Sequence, residues 1–448
     1  MGTLKFEQPG AIHRWALILI LLAYLALASA YSLATPPWEA PDEPSHFRYI
    51  EHLALYRSLP PPAPPQRGHF WQHGYATSLY EWYQLPLYYI IPAPALAALN
   101  RIHPGSLPQT FPPIVPGFPQ DTTSLFRHKT PLETEPALRL ARSFSIVLGL
   151  LSLLATYRLA LQTTQGDPWI ALTAVGLMAF IPQFTFLSGY VTNDNLVILI
   201  SALCLLSFTI LLNPTRASQT FQVAAAGVVT ALALLTKLSL WFLLPVGLLC
   251  LLWRWRLHRS VKRWLLESGI FTMIALAPLG MGVAFLPSIR QQLAHAQATM
   301  TPRQDYMNWS YILGLWPQTN RSFWGTFGWM NILTPLWISR SLNLVALIGL
   351  AGSLLSLGSR QAKATKATLV LFLIVCALVA IGFLRFNLAV RQPQGRLLFP
   401  ALPAFIVLVA VGWGRLTGKY RAVLGPALIV FTLGVNLVSL FGTLIPAY

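Results

Sequence analysis

The sequence predicts an all-α polytopic membrane protein, and three observations support this fold class. Of the 448 residues, 55% are hydrophobic and only 10% are charged, whereas soluble domains carry about 25% charged residues. Apolar runs long enough to cross a bilayer, about 18 residues or more, recur from end to end of the chain. Such runs are too long for the strands of a membrane barrel, which need about 10 residues of alternating pattern. Helices also satisfy their backbone hydrogen bonds internally, as lipid requires.

We expect about eleven transmembrane helices within a single domain over residues 1–448. They lie near residues 15–34, 139–161, 169–187, 195–212, 221–236, 238–253, 264–286, 341–357, 368–385, 397–413 and 422–444. The first run ends in small residues and resembles a secretory signal, but its length favours a retained helix.

The basic residues set the expected orientation. The net charge of +18 is concentrated in short clusters between runs, at residues 253–263, 358–366 and 414–421. With the N-terminus inside, all three clusters fall on the cytoplasmic side, as the positive-inside rule predicts. The chain is thus expected in the cytoplasmic membrane. No nucleic-acid-binding motif accompanies the charge, so nucleic acid is not an expected partner.

Two long external segments follow from this topology, at residues 35–138 and 287–340. The first contains amphipathic patterns at 45–57 and 79–100, typical of helices that lie in the membrane interface. A proline-rich stretch at 59–68 between them predicts an extended linker. The second segment carries five tryptophans.

The acidic residues are scarce and unevenly placed. Ten of the 13 Asp and Glu residues fall outside in this topology, although acids have little influence on orientation. Solubility and chance are ordinary explanations for this skew, and a working site on the outer face is the more specific one.

The densest acidic stretch lies where the first run ends, in "TPPWEAPDEPSHFRY" at residues 35–49. Asp42 precedes a proline-containing turn, so one explanation is a helix cap. A cap does not explain why Glu43 and His46 stand beside it. A carboxylate at a membrane boundary can act as a general base or hold a divalent cation.

Seven motifs carry a resemblance to a known class of enzymes. In order, they are "TPPWEAPDEPSHFRYIEHL" (35–53), "YQLPLYY" (83–89), "RLARSFSIVLG" (139–149), "PQFTFLSGYVTNDNL" (182–196), "ALLTKLS" (233–239), "FWGTFGWMN" (323–331) and "QPQGRLLFPALP" (392–403). Together they resemble the lipid-linked-sugar glycosyltransferases of the GT-C class, and a bacterial family of predicted membrane glycosyltransferases in particular.

The resemblance implies an enzyme that takes a sugar from a polyprenyl-phosphate carrier on the outer leaflet. Asp42 matches the acid that serves in this class as the base of an inverting displacement. Glu43 would orient the acceptor or the base, and His46 would support either. Some members carry a lysine as phosphate ligand where this chain has Gln84, which can donate a hydrogen bond but has no charge.

Cations and a further acid complete the candidate site. Displacement at an anomeric carbon develops positive charge, which a carboxylate stabilises. The phosphate leaving group needs cations, and Lys237, Arg391 and Arg396 are the external candidates. Snorkelling at helix ends is the alternative for these three. Asp194 is either a second acid or metal ligand, or the cap of the following helix.

Aromatic residues supply candidate sugar contacts. Tyr83, Tyr88 and Trp324 could stack on sugar rings, although aromatic belts at membrane interfaces are the commoner explanation for such residues.

The sequence thus predicts a glycosyltransferase acting on a polyprenyl-phosphate-linked sugar and a lipid, glycan or protein acceptor. No motif requires a cofactor, and a divalent cation is the one candidate. A transporter or flippase of lipid-linked saccharides, a non-catalytic scaffold, and a glycan polymerase or ligase are the alternatives. Transporters usually keep ionisable groups at mid-membrane and carry inverted repeats, and neither feature is evident here.

Overall fold

The protein is described by a computed structural model, which covers residues 10–62, 79–107, 111–112, 114–115, 118–119, 121–126, 135–212, 219–358 and 363–448. The helices of the first half are α1 (Ala11–Ala34), α2 (Glu43–Tyr56), α3 (Leu87–Ile90), α4 (Ala93–Ile102), α5 (Glu135–Thr163), α6 (Pro168–Ala179), α7 (Pro182–Ser188) and α8 (Asp194–Leu212). Those of the second half are α9 (Gln219–Thr236), α10 (Leu243–His258), α11 (Val261–Phe285), α12 (Pro287–Thr299), α13 (Trp309–Trp324), α14 (Leu336–Gly358), α15 (Lys363–Asn387), α16 (Leu402–Thr417) and α17 (Arg421–Ser439).

The helical membrane fold predicted from the sequence is confirmed. Each of the eleven predicted runs falls on helical structure. In the described residues, eight helical segments are long and apolar enough to cross a membrane, or nine if the pair formed by α6 and α7 counts as one span. The count of eleven is not confirmed, because α9 is shorter than the others and the segment Gly395–Ala447 counts once although it contains α16 and α17.

The pair α6 and α7 is bent by 68°. Ile181 precedes a proline and has the extended conformation that such a position favours. Pro182 then opens α7, where its missing N–H costs nothing. This break directs the chain into residues 189–193, which lead to Asp194 at the start of α8.

The external segments are more broken than predicted. The amphipathic pattern at 45–57 corresponds to α2, but the one at 79–100 is divided into a 3-10 turn (Tyr80–Tyr83), α3 and α4. Pro86 and Pro92 stand immediately before α3 and α4, where each interrupts the helical hydrogen bonds. Residues 63–68 of the linker predicted at 59–68 lie outside the described residues.

Two short strands follow α13. They are β1 (Thr326–Phe327) and β2 (Ile332–Leu333), antiparallel with Thr326 opposite Leu333. Within the described residues they are the only departure from an all-α fold, apart from an isolated bridge between Ile114 and Phe126.

Helices α14 and α16 approach each other closely through small residues. A Cβ atom at Gly412 would overlap the backbone carbonyl of Gly349, and one at Gly352 would overlap the backbone of Gly412. Small residues allow backbones to pack at this distance in membrane helix pairs. The contact fixes α16, whose preceding 3-10 turn (Gly395–Ala401) carries Arg396.

A buried ion pair joins the first external segment to the helices. Arg142 on α5 donates from Nε to Oε1 of Glu43 at 2.9 Å and from Nη2 to Oε2 at 2.7 Å. The same guanidinium donates to the backbone carbonyls of Ser32, in the last turn of α1, and of Thr35 and Pro36, which follow that helix. The side chains of Arg142 and Glu43 are only 4% and 0% exposed, so this pair holds the entry to α2 in place.

We expect Arg142→Gln to lower the free energy of unfolding by about 3–5 kcal/mol, because it leaves the Glu43 carboxylate buried without its cation. Arg139→Gln is the matched control. It removes an i,i+4 pair with Glu135 whose arginine is 49% exposed, worth about 0–1 kcal/mol. Thermal unfolding of both variants in detergent micelles measures the difference. Equal midpoints for the two variants would show that the buried pair does not hold the fold.

Candidate active site

A cavity of about 380 Å³ lies where several of the segments predicted to be external meet. Its polar lining consists of Asp42, His46, Glu81, Tyr83, Gln84, Asp194, Lys237, Ser239, Gln392 and Arg396. One side is apolar, and we call it the apolar wall; it is formed by Leu238, Phe242, Leu378, Val379, Phe383 and Phe386. The cavity therefore combines a charged region with an apolar one.

Asp42 faces this cavity. It occupies the position before α2 but makes no capping hydrogen bond with its side chain, so the helix-cap explanation does not hold. Its backbone has φ +65°, a left-handed conformation that aspartate tolerates better than most residues. Its Oδ2 pairs with the guanidinium of Arg396, and its Oδ1 accepts a hydrogen bond from Tyr80 at 2.5 Å.

The pKa of Asp42 is set by two opposing effects. Burial works to raise it, and the positive charge of Arg396 works to lower it. The pKa lies below its ordinary value because the hydrogen bonds from Tyr80 and Arg396 add to the effect of the Arg396 charge. Asp42 is therefore a carboxylate in this arrangement.

Arg396 also reaches a second acid. Its Nη1 lies 3.7 Å from Oδ2 of Asp194. The other oxygen of Asp194 accepts from Lys237 Nζ at 2.6 Å, and Lys237 donates in addition to Asn193 at 3.0 Å. The predicted residues Asp42, Asp194, Lys237 and Arg396 are thus brought together in one network.

His46 lies under the network as a neutral side chain. Burial lowers its pKa to about 3. Its Nδ1 lies 2.9 Å from the hydroxyl of Tyr89, which also accepts a hydrogen bond from Asn193 at 3.3 Å. His46 also lines the cavity.

Glu81 belongs to the site but was not singled out from the sequence. Its backbone N–H donates to Ser45 at 2.9 Å, and its Oε2 accepts from Gln84 at 2.7 Å. Burial, with the charge of Asp42 as the next cause, raises its pKa to about 7. The sequence signal was its position two residues before the motif at 83–89, where it is the only acid near Gln84.

Three of these side chains form a set that fits a divalent cation. Asp42, His46 and Glu81 each offer one ligand atom, and these atoms lie within 4.8 Å of one another. Carboxylate oxygen with neutral imidazole nitrogen is a donor set that suits Mn²⁺ or Zn²⁺. Lys237 and Arg396 lie close to this set, and their positive charges repel a metal ion. The set therefore fits a metal only when an anion also occupies the cavity.

Four predicted site residues lie away from the cavity lining. Glu43 is committed to Arg142, and its oxygens also accept from the backbone N–H groups of Trp38 and Val191 at 3.2 and 3.0 Å. All four of these hydrogen bonds come from donors of the protein itself, so the geometry favours a structural role for Glu43, and its expected role in orienting the acceptor or the base stays a prediction.

The other three predicted residues, Tyr88, Trp324 and Arg391, contact residues outside the cavity lining. Tyr88 is buried and lies 3.3 Å from the hydroxyl of Ser145. Trp324 is buried and donates to Asn343 at 2.7 Å. Arg391 is exposed and lies 6.0 Å from the ring of Tyr311. Tyr83 and Gln84, by contrast, line the cavity as expected.

Part of the chain matches a known protein family. Residues 129–291 match the family model of the dolichyl-phosphate-mannose-protein mannosyltransferases. This is less than half of the chain. No curated protein matches the sequence.

Solved structures extend the likeness to the whole chain. The apo oligosaccharyltransferase of Archaeoglobus fulgidus superposes with a TM-score of 0.51 at 12% identity, over 99% of this chain and 56% of that one. Its complex with Zn and sulfate gives 0.52 at 14% identity, over 96% and 53% of the two chains. ArnT from Cupriavidus metallidurans bound to undecaprenyl phosphate gives 0.47 at 14% identity, over 98% and 74%.

This chain spans just over half the length of the oligosaccharyltransferase that it resembles. At these identities the superposition establishes architecture, and the resemblance seen in the sequence motifs agrees with it. The chain therefore has the membrane fold of the GT-C glycosyltransferases, the fold that its sequence motifs predict.

Proposed function

We propose that the protein transfers a sugar from a polyprenyl-phosphate carrier to an acceptor that reaches the same cavity. The observation that carries the proposal is the network of Asp42, Asp194, Lys237 and Arg396, in which acids and cations from four distant segments meet. The partial match to a family named for a lipid-phosphate sugar donor supports the choice of donor.

The cations are placed for the phosphate of the donor. Lys237 and Arg396 both line the cavity, and the partners that the described residues give them are the acids Asp42 and Asp194 and the neutral polar groups of Asn193, Tyr190 and Gln394. An incoming phosphate competes with Asp194 and Asp42 for them. The phosphate then accepts charge-assisted hydrogen bonds from both side chains, and these bonds stabilise the negative charge that develops on it as the sugar leaves. Gln84 can add a neutral donor.

Asp42 then serves as the base. A phosphate that engages Arg396 leaves Oδ2 of Asp42 without its partner, and Tyr80 continues to hold Oδ1. The freed oxygen takes the proton of the acceptor hydroxyl or amide as that group attacks the anomeric carbon. Attack from the side opposite the phosphate inverts the configuration of that carbon. Asp194 keeps Lys237 in position.

A divalent cation would be held by Asp42, His46 and Glu81, where it would supply positive charge beside the donor phosphate. The complex of the oligosaccharyltransferase with Zn and sulfate supports a site for metal and anion in this fold. Here the pairing of Asp42 with Arg396 means that anion and metal are expected to enter together.

An outward-facing site is the orientation that we propose. Apart from Ser239, at the start of the predicted span 238–253, the polar residues of the cavity lining come from segments predicted to be external, in a cytoplasmic membrane with the N-terminus inside. The basic clusters at 253–263 and 414–421 belong to turns at the opposite ends of α10, α16 and their neighbours. The positive-inside rule assigns those turns to the cytoplasm.

Replacing the base tests the reaction. We expect Asp42→Asn to lower turnover of a radiolabelled polyprenyl-phosphate sugar by about 10²–10⁴-fold, because the amide cannot take a proton. The assay uses purified protein in lipid nanodiscs, a panel of donors and membrane extract as the source of acceptors. Asp121→Asn, at an exposed acid away from the cavity, is the matched control.

The outcomes separate the alternatives. Normal turnover by Asp42→Asn together with loss in Glu81→Gln would move the base from Asp42 to Glu81. If the wild-type protein consumed none of the donors, a transporter or a scaffold would be favoured instead.

Removing a cation tests the phosphate site. We expect Lys237→Gln to weaken binding of polyprenyl phosphate by about tenfold or more, because a charged hydrogen bond is worth about 1.5–3 kcal/mol. Arg391→Gln removes a charge from the same side of the protein but from outside the cavity, and we expect binding close to wild type. Retention of the lipid is measured by mass spectrometry of the purified variants. Loss in Arg391→Gln but not in Lys237→Gln would refute this placement of the phosphate.

Chelation tests the metal. We expect EDTA to lower turnover and Mn²⁺ to restore it. Direct Mn²⁺ binding in the presence of undecaprenyl phosphate, followed by electron paramagnetic resonance, should weaken in Glu81→Gln. Glu51→Gln, which alters an acid of α2 paired with Arg48, should leave binding unchanged. Full turnover in EDTA together with no Mn²⁺ signal would exclude the metal.

A further inference from the structure

A second charged cluster lies between α10 and α11, away from the cavity. Arg254 on α10 is fully buried, and its Nε lies 3.2 Å from Oε2 of Glu267 on α11. Arg263 donates to the other oxygen of Glu267 at 2.9 Å. Two guanidinium groups thus share one carboxylate, which leaves a net positive charge at the place where Arg254 is buried.

Several donors of this cluster have no acceptor among the described residues. They are Nη1 of Arg254, the indole N–H groups of Trp255 and Trp264, and the hydroxyl of Ser268, all buried. The two indole rings lie beside each other, with centroids 6.3 Å apart. A buried donor without a partner loses the hydrogen bonds it would make to water, and native proteins contain few of them. Unsatisfied donors around excess positive charge favour an anionic acceptor.

The surface around the cluster is basic as well. Arg256, Arg259 and Lys262 are exposed on the same turn. Like charges this close repel one another, so their grouping is stabilised when an anion binds.

The position of the cluster favours a lipid over a soluble anion. It lies where two candidate spans meet, between Leu238–Arg256 and Val261–Phe285. Apolar side chains next to it are exposed, at 41% for Trp253, 58% for Leu265 and 62% for Leu266. A ligand that combines a phosphate with hydrocarbon chains satisfies both surfaces. Basic pockets between membrane helices commonly bind such headgroups.

The cluster is distinct from the proposed sugar-transfer site. Phe242, which lines the cavity, stands just before α10, whereas Arg254 lies 12 residues further along the same helix. At 1.5 Å per residue the two are about 18 Å apart along α10.

We propose that the turn between α10 and α11 binds the phosphate headgroup of an anionic phospholipid. Arg254 and Arg263 provide the charge, and the indole N–H groups of Trp255 and Trp264 donate to the phosphate oxygens. The acyl chains lie along the exposed side chains of Leu265 and Leu266. The proposal does not depend on the sugar-transfer reaction.

The test compares lipids on the purified, delipidated full chain in detergent. We expect phosphatidylglycerol to raise the thermal midpoint and to be retained in mass spectrometry, and phosphatidylcholine to do neither. Arg254→Gln should weaken retention of phosphatidylglycerol by about tenfold. Since Arg254→Gln also removes the ion pair between α10 and α11, the double variant Trp255→Phe/Trp264→Phe removes only the two N–H donors and should weaken retention in the same direction.

Arg415→Gln is the matched control, because it removes an exposed arginine from a basic turn elsewhere and should retain phosphatidylglycerol like wild type. Equal stabilisation by the two phospholipids would overturn the proposal, as would unchanged retention in both test variants. Glycerol 3-phosphate that stabilises as well as phosphatidylglycerol would show a soluble-phosphate site instead of a lipid site.

Discussion

The buried contact between Glu43 and Arg142 is the constraint on which the geometry of the cavity depends. It binds the chain just after α1, the first turn of α2, the start of α5 and, through Val191, the segment before α8. Glu43 accepts hydrogen bonds from Arg142, Trp38 and Val191, whereas Asp42 beside it has a left-handed backbone conformation and faces the cavity. Two adjacent acids are therefore given opposite surroundings by a single arginine. One is a fixed structural carboxylate, and the other faces the cavity.

A second long-range contact closes the site. Arg396 meets Asp42 although the two are 354 positions apart in the chain, and the close packing of α14 on α16 supports the turn that carries Arg396. In the cavity, three acids (Asp42, Glu81 and Asp194) face two cations (Lys237 and Arg396). With Glu81 near its midpoint at neutral pH, the site is close to electrically balanced. An anion and a cation can then enter as a pair without leaving a buried charge unpaired.

The fold and most of the polar residues of the site could be predicted from the sequence. Long apolar runs identify membrane helices because a backbone in lipid must satisfy its hydrogen bonds within the segment. Charged residues at the ends of such runs are rare, which makes them candidates for a functional site. Asp42, Asp194, Lys237 and Arg396 were found in this way, and the geometry places them together. The direction of each side chain was not predictable, since it depends on distant partners. Glu43 turns to Arg142, Tyr88 to Ser145 and Trp324 to Asn343, whereas Glu81 accepts from Gln84 and lines the cavity.

The apolar wall has a consequence for how a substrate arrives. Four of its six residues belong to α15, a candidate membrane span whose other face exposes Ile381 and Leu384. A molecule with a long hydrocarbon tail can keep that tail against this helix while its polar head enters the charged region. For such a molecule the encounter takes place in two dimensions, within the plane of the bilayer. Its rate is then governed by the surface density and lateral diffusion of the carrier, and the concentration of substrate in the surrounding water has no direct influence on it.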